Sequence, residues 1–157
     1  RSGRVTGVQT CALPISPAHA AHAKVFRPFV GAMLQGDETR AAQVFNSLWG
    51  AQSWDDTPER LRQYLIKRIH LIVAGAAPIE EDATGITSAK RLGLLEIPVT
   101  LIRGAETQPV IAAIHAWLVA HIPNVTDHVV PGAAHMVPLT HTDDVVQIIS
   151  AAGQETG

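Results

Sequence analysis

Among the eight histidines of the 157-residue chain, one stands in a setting that suits proton transfer. His135 lies in the stretch Val130-Pro131-Gly132-Ala133-Ala134-His135-Met136-Val137-Pro138-Leu139, just beyond an apolar run and between small residues that let the backbone turn tightly. An imidazole titrates near neutral pH, so a ring held at the end of a strand can take a proton and return it. A carboxylate occupies the corresponding place after the preceding apolar run. Pro98-Val99-Thr100-Leu101-Ile102 closes with Arg103-Gly104 and is followed by Ala105-Glu106-Thr107. Glu106 can accept the Nδ1 proton of His135, fix its tautomer and stabilise the imidazolium. The alternative for Glu106 is a solvated loop carboxylate near the N-terminus of the next helix, where negative charge is favoured in any case.

The remaining candidates carry less chemistry. His19-x-x-His22 would place two imidazoles on one helix face, but no carboxylate or cysteine completes a ligand set, so neither a metal nor a cofactor is expected. His70, His115, His121, His128 and His141 fall within or beside helices and strands, where a structural or solvated role is the default. No G-x-S-x-G occurs, and Ser16, Ser47, Ser53, Ser88 and Ser150 all lack the strand–turn–helix context of an activated serine. Met136 follows the candidate histidine, Met33 sits on the first helix and Trp54 flanks the turn after the second; these three are the residues expected to line a substrate pocket if one is present. Trp49, Trp54, Phe26 and Phe29 are expected in the helical core, with a place on the same wall as the alternative.

These residues need elements to hold them. Ala18–Gln35 carries apolar residues at helical spacing, with Pro28 as a kink or late start; Gly36 ends it and Asp37 caps a second helix to Leu48. Thr57-Pro58-Glu59 predicts a third helix start, with Thr57 as cap and a buried stripe of Leu61, Leu65, Ile69, Ile72 and Val73. A breaker-rich loop from Gly75 to Gly85 leads to a short helix at Thr87–Leu95. At Ile97 the texture changes. Pro98–Ile102 and Thr126–Pro131 read as short strands buried on both faces, joined by a helix from Val110 to His121, and Gly132–Thr142 reads as a loop before a last helix. Two such strands joined by one helix imply parallel pairing.

Apolar residues make up 46% and charged residues 17%, which supports a packed core and opposes disorder. The net charge of −2 gives no nucleic-acid footprint, and no apolar run has the length of a membrane span. The expected partner is a small-molecule substrate, and a cytoplasmic location follows as an expectation; the oligomeric state is left open. The single cysteine, Cys11, cannot form an internal disulfide. Residues 1–16 show no period, and VTGVQTCALPI at 5–15 resembles a translated sequencing-library adapter. That segment is therefore expected to be foreign to the natural protein, which would leave it without a cysteine.

Residues 97–150 resemble the C-terminal end of an α/β-hydrolase-fold protein. The resemblance rests on the strand ending at Gly104, the helix ending in Ile122-Pro123, a second short strand, and Gly132-x-x-His135 with Pro138 three residues later. Residues 17–96 are similar to the helical cap that many members insert before this point, including Gly36-Asp37. The resemblance implies a truncated α/β-hydrolase fold: a short parallel sheet flanked by helices (97–157) plus a helical cap-like region (17–96). It implies an activity on small ester-like substrates, with His135 as catalytic base and the nucleophile elbow outside this chain, so that the chain alone would be inactive. Haloalkane dehalogenase, epoxide hydrolase or cofactor-free haloperoxidase chemistry is the alternative on the same fold, and a non-catalytic small-molecule receptor is another. One departure bears on the acid. The family position, three residues after the glycine, holds Thr107 here, so either Glu106 takes the role by a small loop shift or the acid follows an earlier strand. An open sheet edge is also expected to make the isolated chain prone to association.

Overall fold

In a computed structural model of the chain, residues 17–76, 82 and 84–154 are described. The adapter-like segment at 1–16 and most of the acidic run Glu80–Asp82 lie outside them. The chain is mixed α/β. Three helices come first: α1 (Pro17–Leu34), α2 (Glu38–Trp49) and α3 (Glu59–Arg68), followed by the short α4 (His70–Ala74) and α5 (Ala89–Leu92). Then come β1 (Val99–Gly104), α6 (Pro109–His121), β2 (Val125–Val130), α7 (Val137–Thr140) and α8 (Thr142–Gln154).

The helical boundaries follow from local chemistry. Gly36 takes a left-handed φ of 73° and ends α1. Its N–H donates to Met33 O and the Asp37 N–H to Ala32 O, the paired bonds that satisfy a helix's last carbonyls. Asp37 then caps α2 by accepting from the Arg40 N–H at 2.8 Å. Pro28 neither delays nor ends α1, which runs through it. Thr57 is not the cap of α3. Its hydroxyl donates to Ser53 O at 2.8 Å, closing the preceding turn, and Pro58 stands at the cap position without a side-chain bond. The expected single stripe from Leu61 to Val73 is split at Ile69 into α3 and α4. The 132–142 loop holds one unforeseen helical turn, α7.

α1, α2 and the α3–α4 junction share a core of Phe29, Ala32, Ala41, Ala42, Val44 and Ile69. Alanines at 41 and 42 bring the α1 and α2 backbones close, and Phe29 fills the space beside them at 2% exposure.

The two strands pair in parallel, in register from Val99↔Val125 to Gly104↔Val130, with α6 as the connection. Side chains alternate between faces. Ile102 and Val130 pack with Val137, Val145 and Ile148, so α7 and α8 cover one face. On the other, Asp127 joins Arg103 and His115 of α6. The His115 Nδ1–H donates to Asp127 Oδ1 at 2.6 Å, and Arg103 Nε faces Oδ2 at 3.6 Å. A carboxylate in a strand under a helix must find such partners, since burying it alone is costly. The strands are not buried on both faces as expected. Gly104 and Val130 are buried, the rest is half-buried or exposed, and Val129 is 43% exposed. With one neighbour per strand, each has an open edge, and the helices shield the sheet incompletely. Among the described residues, no helix is long and apolar enough to cross a membrane.

Candidate functional site

Both candidate residues sit where their strands end, and the backbone ties the two loops together. The Ala105 N–H donates to Val130 O and the Glu106 N–H donates to Ala133 O, each at 2.9 Å. This lacing requires glycine at 104, because a β-carbon there would run into the Ala133 and Ala134 carbonyls. Gly132 adopts φ 71°, the left-handed conformation that turns the chain back towards β1, and Ala133 is fully buried beneath the turn. His135 emerges two residues later.

Its ring meets the helical region. The edge of Trp49, the last residue of α2, lies against His135 with centroids 4.7 Å apart and planes at 67°. Trp49 contacts His22 of α1 in the same manner on another side, at 5.4 Å and 64°. Around these rings lies a cavity of about 370 Å³. Phe26, Phe45, Val110 and Ile114 give it apolar walls, and His19, His22 and His135 contribute imidazoles. His135 keeps an edge in solvent, yet desolvation by these neighbours lowers its pKa below the ordinary 6.5. At neutral pH the ring is therefore uncharged, the form in which it can accept a proton.

Glu106 is exposed, and among the described residues it forms no hydrogen bond or ion pair with His135. Its backbone, rather than its carboxylate, is what the loop pairing uses. Thr107, at the position where the resemblance expected the acid, has a buried hydroxyl with no hydrogen-bond partner among the described residues. The next residue, Gln108, reaches across to Leu48 O at 3.5 Å and pins this loop to the end of α2. Met136 does not line the cavity beside His135; it faces a second, adjoining cavity. Met33, near the end of α1, and Trp54, in the turn after α2, pack against the helical core instead of either cavity. Phe29 is core, as expected, whereas Trp49 and Phe26 take the place on the cavity wall that the sequence left as an alternative.

Sequence reasoning did not gather His19 and His22 around His135. A signal was present: His22 precedes Phe26 by four residues, so it falls on the apolar stripe of α1. Among the described residues, no group of three or more His, Cys, Asp or Glu side chains is arranged to hold a metal ion. The His115–Asp127 pair was also missed, although an aspartate inside a strand is itself a demand for a partner.

Comparison of the chain with protein-family models, with curated proteins and with solved structures gave no match. The functional reading therefore rests on the site itself.

Proposed function

We propose that this chain supplies the general-base histidine and part of the substrate pocket of an α/β-hydrolase-fold enzyme acting on small ester-like compounds. The observation that carries the reading is His135: a neutral imidazole at the carboxyl end of a parallel strand, with one edge in solvent and one face on an apolar cavity. Chemistry in open α/β sheets gathers at that end of the strands. In the proposed reaction the ring takes the proton of a nucleophile contributed by residues outside these 157, then returns it to the leaving group. The apolar walls from α1, α2 and α6 hold the acyl or alkyl part of the substrate and exclude water. Glu106 belongs to the proposal as the orienting acid only if its side chain swings towards His135 when the nucleophile is in place.

The test is His135→Ala in a protein restored with the upstream codons of its source DNA. The expected result is a fall in kcat of about 10²–10⁴-fold on a chromogenic ester, the usual loss when a positioned base is removed. Unchanged kcat overturns the assignment. A second reading, a non-catalytic receptor for an apolar small molecule, is favoured by one observation: among the described residues no carboxylate bonds to His135. It predicts that the restored protein binds such a molecule and does not turn it over, with or without His135.

A further inference from the structure

The second cavity lies on the other side of Trp49, between α2, α3, α4 and the α7 turn, and holds about 700 Å³. It shares Phe45, Trp49, Leu71 and Ile72 with the first, so the two chambers have a common wall. Its volume is within the range of small-molecule sites.

The chemistry of its lining is uneven. The floor is apolar, with Ala42 and Ile69 buried. The neutral polar side chains each donate to a backbone carbonyl: Asn46 Nδ2 to Gln52 O at 3.0 Å, Gln52 Nε2 to Asp56 O at 3.2 Å, Thr57 Oγ1 to Ser53 O at 2.8 Å and Thr140 Oγ1 to Met136 O at 3.2 Å. Among the described residues, one ionisable side chain lines the chamber, Arg68, and no carboxylate does. Arg68 lies at the exposed rim and makes no ion pair among the described residues. Its guanidinium carbon lies over the Tyr64 ring, 3.9 Å from the centroid. The aromatic face keeps the cation in place without neutralising its charge, and a guanidinium can recognise an oxyanion in bidentate fashion.

We infer that this chamber binds an amphiphile with an apolar tail and a compact oxyanion head. The tail lies on Ala42, Leu65 and Ile69, and the head pairs with Arg68 at the rim. The tail gains from leaving water. The head keeps one side in solvent and so avoids the cost of full burial. Leu61, Leu65 and Arg68 share one face of α3 at i, i+4 and i+7, so one helix presents both the tail surface and the cation. This site stands whether or not His135 is a catalytic base, since no residue of the proposed proton transfer is needed for it.

Titration calorimetry on the chain as it stands tests the inference, with decanoate, decyl phosphate and decanol as probes below their aggregation limits. Both anions are expected to bind at least about tenfold more tightly than decanol, the size of one charge-assisted hydrogen bond. The tighter of the two anions identifies the head as carboxylate or phosphate, and either order supports the site. Arg68→Gln is expected to remove that advantage while leaving decanol binding unchanged, which also shows that the chamber is intact. Arg68→Lys, which keeps the charge and loses the planar fork, falls between. Equal affinity for decanol and the anions, absence of binding by all three probes, or an Arg68→Gln variant that binds decanoate like the native chain overturns the inference.

Discussion

The helical region and the sheet region are held together by different means. In α1–α4 six residues, Phe29, Ala32, Ala41, Ala42, Val44 and Ile69, form a buried cluster drawn from three parts of the chain. Around the sheet the buried cluster shrinks to Val130, Ala133 and Val137, and polar contacts join it: the Asp127 cluster on one face and the laced loops at the strand ends. Apolar burial is non-directional and tolerates small shifts, whereas a carboxylate held between an arginine and a histidine, or two backbones in contact at a glycine, tolerates almost none. The candidate site stands at the junction, with Trp49 from the first region against His135 from the second. Its geometry is thus set by the less forgiving region.

The largest expected effect is in the helical region. Phe29→Ala should cost about 3–5 kcal/mol, because a ring at 2% exposure between close-packed helices leaves a cavity that alanines at 41 and 42 cannot fill. Urea denaturation measures the loss. Hydrogen exchange should show protection falling in both regions, since α1 also packs on α6. A loss under 1 kcal/mol would mean that the helices carry no cooperative core of their own.

Gly104→Ala comes next, at about 3 kcal/mol, and sharpens the contrast. The added β-carbon meets the Ala133 and Ala134 carbonyls, which are backbone and cannot rotate away. The strand-end loops should separate, protection should fall in β1, β2 and α7, and α1–α3 should keep theirs. The Trp49–His135 contact should be lost with it, visible as a His135 pKa returning towards 6.5 by NMR titration. Equal loss of protection in α1–α3 would break the two-region picture. Asp127→Ala should be smaller, about 2 kcal/mol. It leaves Arg103 and His115 without their carboxylate, but all three side chains keep some solvent contact, which softens the penalty of a fully buried pair. Restoring stability with Arg103→Met in the same background would show that the loss is that of an unpaired charge.

The contrast also explains what could be read from the residues. The helices of the first region and both strands were legible because period and punctuation are local: apolar spacing, Gly36, Asp37 and the β-branched runs around 99–102 and 125–130. The position of His135 after β2 was legible for the same reason. What escaped depends on distant partners. Thr57 has the type and spacing of a cap, yet its hydroxyl is taken by Ser53. Met33 and Trp54 have the right character for a pocket, but which of their neighbours they meet is set by how α1, α2 and the turn after α2 come together over the helical core. The expectation of strands buried on both faces took composition for environment. A run of β-branched residues shows what a strand can bury, and the neighbours decide what it does bury.

The smallest expected effect tests the junction itself. Burial holds the His135 pKa below the ordinary 6.5, so the folded chain takes up this proton less readily than the unfolded chain. Above about pH 7 the ring is neutral in both states and contributes no pH dependence. As the pH falls through 6.5 the unfolded state binds the proton first, and the native chain loses stability until its own lower pKa is passed, after which the difference is constant. His135→Gln removes the titrating group while keeping a polar side chain at the rim. Its stability curve between pH 7.5 and 5 should be flatter than that of the native chain, with the two converging at the alkaline end. Trp49→Ala should flatten the native curve in the same direction by wetting the ring, since Trp49 is the side chain in edge-on contact with it. If the native and His135→Gln curves run parallel across this range, the imidazole is as solvated in the folded chain as in the unfolded one, and the junction does not bury it.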